Sequence, residues 1–209
     1  MQPLRARPTA HEAAVRAKHG HRITLRDGGW IRYGEHFLPT AEADRLFDAL
    51  RHATGWRQFR NGLWTFPRLT AFMADAGVTY RYSGITHAGE GWTPELLVVR
   101  RRLESATAAT FNGVLLNLYR DGHDSMGRHA DDERELGTNP LVASVSLGAI
   151  RTFVLRHRVG GEKLALDLAH GSLLLMGGTL QHHWVHELPK TTRPVGERIN
   201  LTFRRFNVP

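Results

Sequence analysis

Apolar residues recur at helical spacing in two stretches of the first half of the chain. Ala43, Leu46, Phe47 and Leu50 share one face of a predicted helix over 41–53, with Thr40 as its N-cap and Gly55 just past its end. Leu96, Val99, Leu103 and Ala106 do the same after Thr93-Pro94-Glu95, where proline suits the first helical turn and glutamate suits the helix dipole. From Asn112 onward the period shortens and β-rich runs follow one another: 113–119, 142–147, 152–157, 163–168, 172–176, 182–187 and 198–206. Asp121-Gly122, Gly160-Gly161 and Gly177-Gly178 read as tight corners between them. Helices first and many short strands after predict an α+β, mainly β chain in which N-terminal helices buttress a jelly-roll-like pair of sheets.

No repeat or low-complexity linker divides the 209 residues. The expected organisation is a basic, weakly ordered arm over 1–26 and a single domain over 27–209. With 28 basic against 20 acidic residues the formal charge is +8, which favours a polyanionic partner. Only Lys18, Lys163 and Lys190 are lysines, so the arginine bias fits a compositional origin equally well. The absence of cysteine excludes disulfides, thiolate metal sites and a thiol nucleophile, leaving nitrogen and oxygen ligands for any metal. No apolar run has membrane-spanning length and no secretory segment opens the chain. A monomer without a membrane partner is expected, in the cytoplasm of a bacterium or the nucleus of a eukaryote.

Chemistry is suggested first by His129-Ala-Asp131, whose period of two places an imidazole and a carboxylate on one face of an extended segment. A third ligand is available among His182, His183 and His186, and two histidines with one carboxylate form the facial triad of non-haem Fe(II) oxygenases. In the run 198–204, Arg198, Asn200, Thr202 and Arg204 alternate with Ile199, Leu201 and Phe203. The polar set is either a solvent-facing side or a cradle for a small dicarboxylate, since guanidinium binds carboxylate through two parallel hydrogen bonds. Asn117 and Tyr119 share a face in the same manner.

These runs resemble the AlkB family of Fe(II)/2-oxoglutarate dioxygenases. The likeness lies in His129-Ala-Asp-Asp-Glu-Arg-Glu-Leu136, Ala143-Ser-Val-Ser-Leu-Gly-Ala149, Arg151-Thr-Phe-Val-Leu-Arg-His157 and Ala169-His-Gly-Ser-Leu-Leu-Leu-Met176. It continues through Trp184-Val-His-Glu-Leu-Pro189 to Arg198-x-Asn-x-Thr-Phe-Arg204. Within the family the chain is most similar to the homologue-two branch, which repairs duplex DNA, and Gly77-Val-Thr-Tyr-Arg-Tyr-Ser-Gly-Ile-Thr86 resembles its base-lid segment. The resemblance spans about 67–206, with a lid region over 58–90 and a jelly-roll core over 112–206.

The resemblance implies a double-stranded β-helix holding Fe(II) on His129, Asp131 and His186, with 2-oxoglutarate and O2 as co-substrates. It implies Arg198 and Tyr119 at the distal carboxylate of 2-oxoglutarate, and Arg204, Asn117 and Asn200 at the iron-proximal end, with Thr202 on the same face. It further implies Tyr82 as a stacking lid beside Tyr80 and Ser83, and Asp132 and Glu133 as acidic residues facing the damaged base. The bland alternatives are that the tyrosines pack on a sheet and the acids pair with Arg134 or Arg151. The expected reaction removes N-alkyl groups from 1-methyladenine or 3-methylcytosine, or etheno adducts, in duplex or single-stranded DNA, yielding formaldehyde, succinate and CO2. Phe59, Arg60 and Trp64 are candidates for a wedge into the base stack, with Asn61-Gly62 as a hairpin turn. The competing classes are an RNA or nucleotide demethylase of the same chemistry, a non-catalytic nucleic-acid-binding jelly roll, and a cupin-like metal protein that binds a metabolite.

Overall fold

A computed structural model describes residues 19–82 and 84–207. Its centre is a jelly roll of eight strands. Four lie in a large sheet: β8 (Gly113–Tyr119), β10 (Val142–Gly148), β13 (Ser172–Gly178) and β15 (Arg198–Arg204). The other four form the facing sheet in the order β12 (Lys163–Leu168), β11 (Arg151–His157), β14 (Trp184–Leu188) and β9 (Met126–His129). All neighbours are antiparallel. The large sheet is widened to seven strands by β1 (His19–Thr24) and β2 (Gly29–Gly34) beside β13, and by β5 (Leu69–Ala74) beside β8. Two hairpins stand apart from the sheets: β3 (Arg60–Asn61) with β4 (Trp64–Thr65), and β6 (Thr79–Tyr82) with β7 (Ile85–Ala88).

Strand alternation sorts side chains into two interiors. Val145, Leu147, Ile199, Leu201 and Phe203 face α1 (Thr40–Ala53) and α2 (Pro94–Thr107), meeting Leu46, Leu50, Leu96, Val99 and Leu103. Burying each such leucine or isoleucine stabilises the fold by about 1.5–3 kcal/mol. Between the two sheets, Ile31, Tyr33, Leu174 and Met176 pack on Phe153, Leu155, Leu164, Leu166 and Trp184. The polar face of β15 therefore looks into the jelly roll rather than to solvent, and all seven of its residues are buried. A strand covered on both faces carries its polar residues only where something inside the barrel uses them.

Several local expectations shift. Thr40 is the first helical residue of α1 and Pro39 its N-cap, with no side-chain cap, because the carbonyl of Pro39 accepts from Glu42 and Ala43. Thr93 does cap α2, accepting from the Leu96 amide at 3.4 Å. The run predicted as a strand over 182–187 opens with a helical turn, α3 (Leu180–His183), and is extended only from Trp184. Residues 19–26, read as part of the arm, supply the edge strand β1 and the start of a turn docked on the facing sheet. There Trp184 Nε1 donates to the Arg26 carbonyl at 3.2 Å, and His157 Nε2 lies 2.8 Å from Asp27 Oδ2. Residues 1–18 lie outside the described residues. Among the described residues no helix is long and apolar enough to cross a membrane.

Gly177-Gly178 is not a corner. Both residues belong to β13 and pair with Trp30 and Gly29 of β2. A Cβ on Gly177 would stand 2.4 Å from Cζ2 of Trp30, so the glycine permits the indole to lie across the strand. Gly177→Ala is expected to destabilise the fold by about 1–3 kcal/mol through overpacking, read as a lower urea midpoint at unchanged slope. Unchanged stability would show that Trp30 moves aside freely.

Candidate metal centre

His129 closes β9, Asp131 follows two residues later outside the strand, and His186 lies in β14 directly opposite His129 in the antiparallel register. The strand ladder ends at His129, so Asp131 sits in the segment that leaves it. One potential ligand atom from each of the three residues lies within 4.8 Å of the others, and the two imidazole centroids are 4.2 Å apart. His186 Nε2 is 3.9 Å from Asp131 Oδ2. His182 is exposed and His183 stacks on His157 at 6.4 Å, so both histidines of α3 lie outside this cluster.

Each group is in the protonation state a cation requires. The Gly127 carbonyl, 2.8 Å from His129 Nδ1, can only accept, so the proton sits on Nδ1 and Nε2 keeps its lone pair. Burial lowers the pKa of His129, against an opposing pull from Asp131. Burial, reinforced by His129, brings His186 down to about 3. Burial alone would raise Asp131, but the Arg204 guanidinium together with His186 and His129 holds it at about 2. Arg204 Nη2 donates to Asp131 Oδ1 at 2.6 Å, and the Asp131 amide donates to Gln181 Oε1 at 2.9 Å. Among the described residues Asp131 Oδ2 is buried with no hydrogen bond. A buried carboxylate oxygen without a donor, beside two neutral imidazoles, could hold a cation, and two nitrogens with one oxygen suit Fe(II).

The cavity beside this cluster is lined by every residue expected at the co-substrate: Asn117, Tyr119, Arg198, Asn200, Thr202 and Arg204. Arg198 is 2% exposed, donates from Nη2 to Ser146 Oγ at 2.9 Å, and lies 5.3 Å from the Tyr119 ring centroid. Burial pushes its pKa down to about 10 despite Tyr119, and among the described residues its buried Nε has no hydrogen bond. Among the described residues no carboxylate pairs with Arg198, so the site carries a cationic donor set for an anion. Asn200 Nδ2 donates to Ser144 Oγ at 2.7 Å and Thr202 Oγ1 donates to Asn200 Oδ1 at 2.9 Å. Arg204 stands at the metal end, where Asp131, Tyr80 and Glu133 raise its pKa against the effect of burial.

The residues expected at the base divide. Tyr80 is wholly buried, lies under the Arg204 guanidinium at 5.5 Å, and donates its hydroxyl to Glu133 Oε1 at 2.8 Å. Burial pushes both the Tyr80 phenol and the Glu133 carboxyl above their ordinary values, with Arg204 opposing in each case. Asp132 is exposed and pairs with Arg158 at 3.0 Å, rather than with Arg134 or Arg151. Tyr82 ends β6 opposite Ile85, and Ser83 lies outside the described residues. Arg151 is held by the carbonyls of Asp121, Asp124 and Pro189.

Four further polar residues were not singled out in the sequence. Ser144 and Ser146 share the inward face of β10, a period-two signal legible in Ala143-Ser-Val-Ser-Leu147. Arg68 is buried and donates from Nε to Asn117 Oδ1 at 2.8 Å, orienting an amide of the cavity wall, yet nothing local separates it from the other arginines. Gln181, wholly buried, is equally unmarked in the sequence.

The sequence model of the 2OG-Fe(II) oxygenase superfamily matches residues 31–204. The chain belongs to this superfamily. It is 42% identical over 181 residues to the human DNA oxidative demethylase ALKBH2, covering 79% of this chain and 69% of that protein. The cattle ALKBH2 is equally similar, and the chain spans 65% of its length. Human alkB homolog 3, an alpha-ketoglutarate-dependent dioxygenase, is 38% identical over 183 residues, covering 80% of this chain and 63% of that protein. Among solved structures, OsALKBH1 superposes with a TM-score of 0.64 at 16% identity, covering 88% of this chain and 100% of that one. A Pseudomonas putida prolyl-4-hydroxylase superposes with a TM-score of 0.55 at 17% identity, covering 92% and 97%. Both support the jelly-roll fold, and as a member of the superfamily the oxygenase depends on Fe(II) and 2-oxoglutarate.

Removing a ligand separates metal binding from folding. His129→Ala is expected to weaken Mn(II) binding at least about 100-fold, measured by calorimetry, with little change in metal-free stability. Asp131→Ala is expected to lose the metal and also about 3–5 kcal/mol of metal-free stability, because it strands the buried Arg204 charge. Equal stability losses in the two variants would refute the role given to the ion pair.

Proposed function

We propose that this oxygenase repairs alkylated DNA, oxidising the N-linked methyl of 1-methyladenine or 3-methylcytosine, and the bridge of etheno adducts, while 2-oxoglutarate becomes succinate and CO2. The observation that carries the reading is 42% identity over 181 residues to DNA oxidative demethylases. The facial triad and the arginine-lined cavity support it. Iron, when bound, supplies O2 activation coupled to decarboxylation of the co-substrate. With the metal held by His129, Asp131 and His186, one oxygen atom would enter succinate and the other the methyl carbon, whose hydroxymethyl form would lose formaldehyde to restore the base.

The chain's own residues bind and orient. Arg198, with Tyr119 and Ser146, takes the distal carboxylate of 2-oxoglutarate, while Arg204, Asn117 and Asn200, with Thr202 beside them, shape the end next to the metal. Glu133, held by Tyr80, forms an acidic wall for the exocyclic amine of the flipped base, with Tyr82 and Ser83 as the lid and Asp132 at the outer rim. A methyl on the Watson–Crick edge already prevents pairing, so such a base costs less to flip. Phosphate contacts by surface arginines make binding fall steeply with salt.

The β3–β4 hairpin supports a duplex substrate. Its two-residue loop is Gly62-Leu63, not Asn61-Gly62, and Gly62 has φ +58°. Leu63 stands fully exposed at the tip, at 102% of its reference area. Phe59 packs edge-on against His87 at 4.7 Å and Arg60 bonds Thr65, so both are engaged at the hairpin's base. Leu63 would fill the gap of a flipped base from this tip, and the side chain of Trp64, the third candidate, lies outside the described residues.

The test incubates Fe(II)-loaded protein with 2-oxoglutarate and O2 on 1-methyladenine in duplex DNA, single-stranded DNA and RNA, scoring restored base, formaldehyde and succinate. Base restoration is expected to be lost in His129→Ala and reduced about tenfold on duplex alone in Leu63→Ala, about 1.4 kcal/mol in the barrier. Succinate without restored DNA, or faster turnover of the RNA, would move the substrate elsewhere. No product from metal-loaded protein would leave a binding module.

A further inference from the structure

We infer that Gln181 is a positioning residue for the metal centre, setting the carboxylate ligand through the backbone of Asp131. Asp131 lies beyond the end of β9, so its amide finds no partner in the sheet ladder and donates instead to Gln181 Oε1 at 2.9 Å. Gln181 is wholly buried in α3, five residues before His186, so one amide ties the carboxylate's loop to the segment carrying the second imidazole. Its orientation is determined: with the amide reversed, Nε2 would face the Asp131 N–H, donor against donor. That choice leaves Nε2 buried without a hydrogen bond among the described residues, an uncompensated cost that the tie must offset.

The geometry around Asp131 explains what the tie does. Arg204 grips Oδ1 from β15 and Gln181 holds the backbone amide from α3, so the carboxylate is tied at two points. Among the described residues Oδ2 is left without a donor, 3.9 Å from His186 Nε2. Arg158 makes a second, separate tie on the same helical turn, donating to the Gln181 carbonyl at 3.4 Å and to Asp132 at 3.0 Å, and its side chain bonds none of the three candidate ligands.

This inference rests on the metal-site reading, and the two fail differently. In Mn(II) titrations followed by calorimetry, the unaltered protein must bind, or the metal site itself is wrong. Gln181→Met, which keeps the volume but removes the acceptor, is expected to weaken Mn(II) binding about 10- to 100-fold. Its metal-free melting temperature is expected to fall by no more than about 4 °C. Arg158→Ala is expected to bind Mn(II) as the unaltered protein does. Weakening of less than threefold in Gln181→Met, or equal weakening in Arg158→Ala, would overturn the assignment. Should Gln181→Met not fold, hydrogen exchange of the unaltered metal-free protein decides. The Asp131 amide is expected to exchange as slowly as the amides of β14, and exchange at the rate of exposed loops would overturn the inference.

Discussion

A guanidinium and a carboxylate, both buried and 2.6 Å apart, join the two sheets of this jelly roll. Arg204 comes from the last strand of the large sheet and Asp131 from the loop leaving the edge of the facing sheet. Neither charge is tolerable there alone, since an unpaired buried charge costs several kcal/mol. Their pairing occupies one carboxylate oxygen and leaves the other for a cation, so a stabilising contact and a ligand are built from the same side chain. The two imidazoles then need only neutrality, which burial provides, reinforced at His186 by His129.

The same strand carries the second function of the cavity. Along β15, residues facing the helices are apolar and those facing the interior are polar, and both faces are buried. Arg198 has serine and tyrosine for neighbours where an ordinary buried arginine has a carboxylate. Under the proposed function Asp131, steadied by Arg204, would ligate the metal at one end of the strand's inward face and Arg198 would take a dicarboxylate at the other, so a single register relates the two.

Much of this was legible in the sequence because a period of two survives in long strands. The alternation over 198–204 separated the cavity-facing set from the core set, although alternation alone does not say whether the polar face meets water. The strands 113–119, 142–147 and 163–168 emerged near their observed bounds because each is continuous and flanked by turn residues. The first half was less transparent. There β1 carries Gly20 at positive φ and a break in its register, β2 begins and ends in glycine, and β5 is so evenly apolar that no period shows. Residue type alone did not separate His186 from His182 and His183, because the helical turn of α3 follows from close packing at Gly29, where a Cβ would stand 3.0 Å from the Leu180 backbone. Arg68 and Gln181 act through contacts distant in sequence, at Asn117 and Asp131, and such contacts leave no local trace.

The buried ion pair would give the two oxygens of Asp131 different tasks, Oδ1 for Arg204 and Oδ2 for a metal. A crystal structure of the protein with Mn(II) and 2-oxoglutarate, with the metal located by anomalous scattering, tests it directly. The expected result is a metal bound by His129 Nε2, His186 Nε2 and Asp131 Oδ2, with Arg204 still donating to Oδ1. A metal bound through Oδ1 with the Arg204 contact broken, or one bound away from Asp131, would contradict the account.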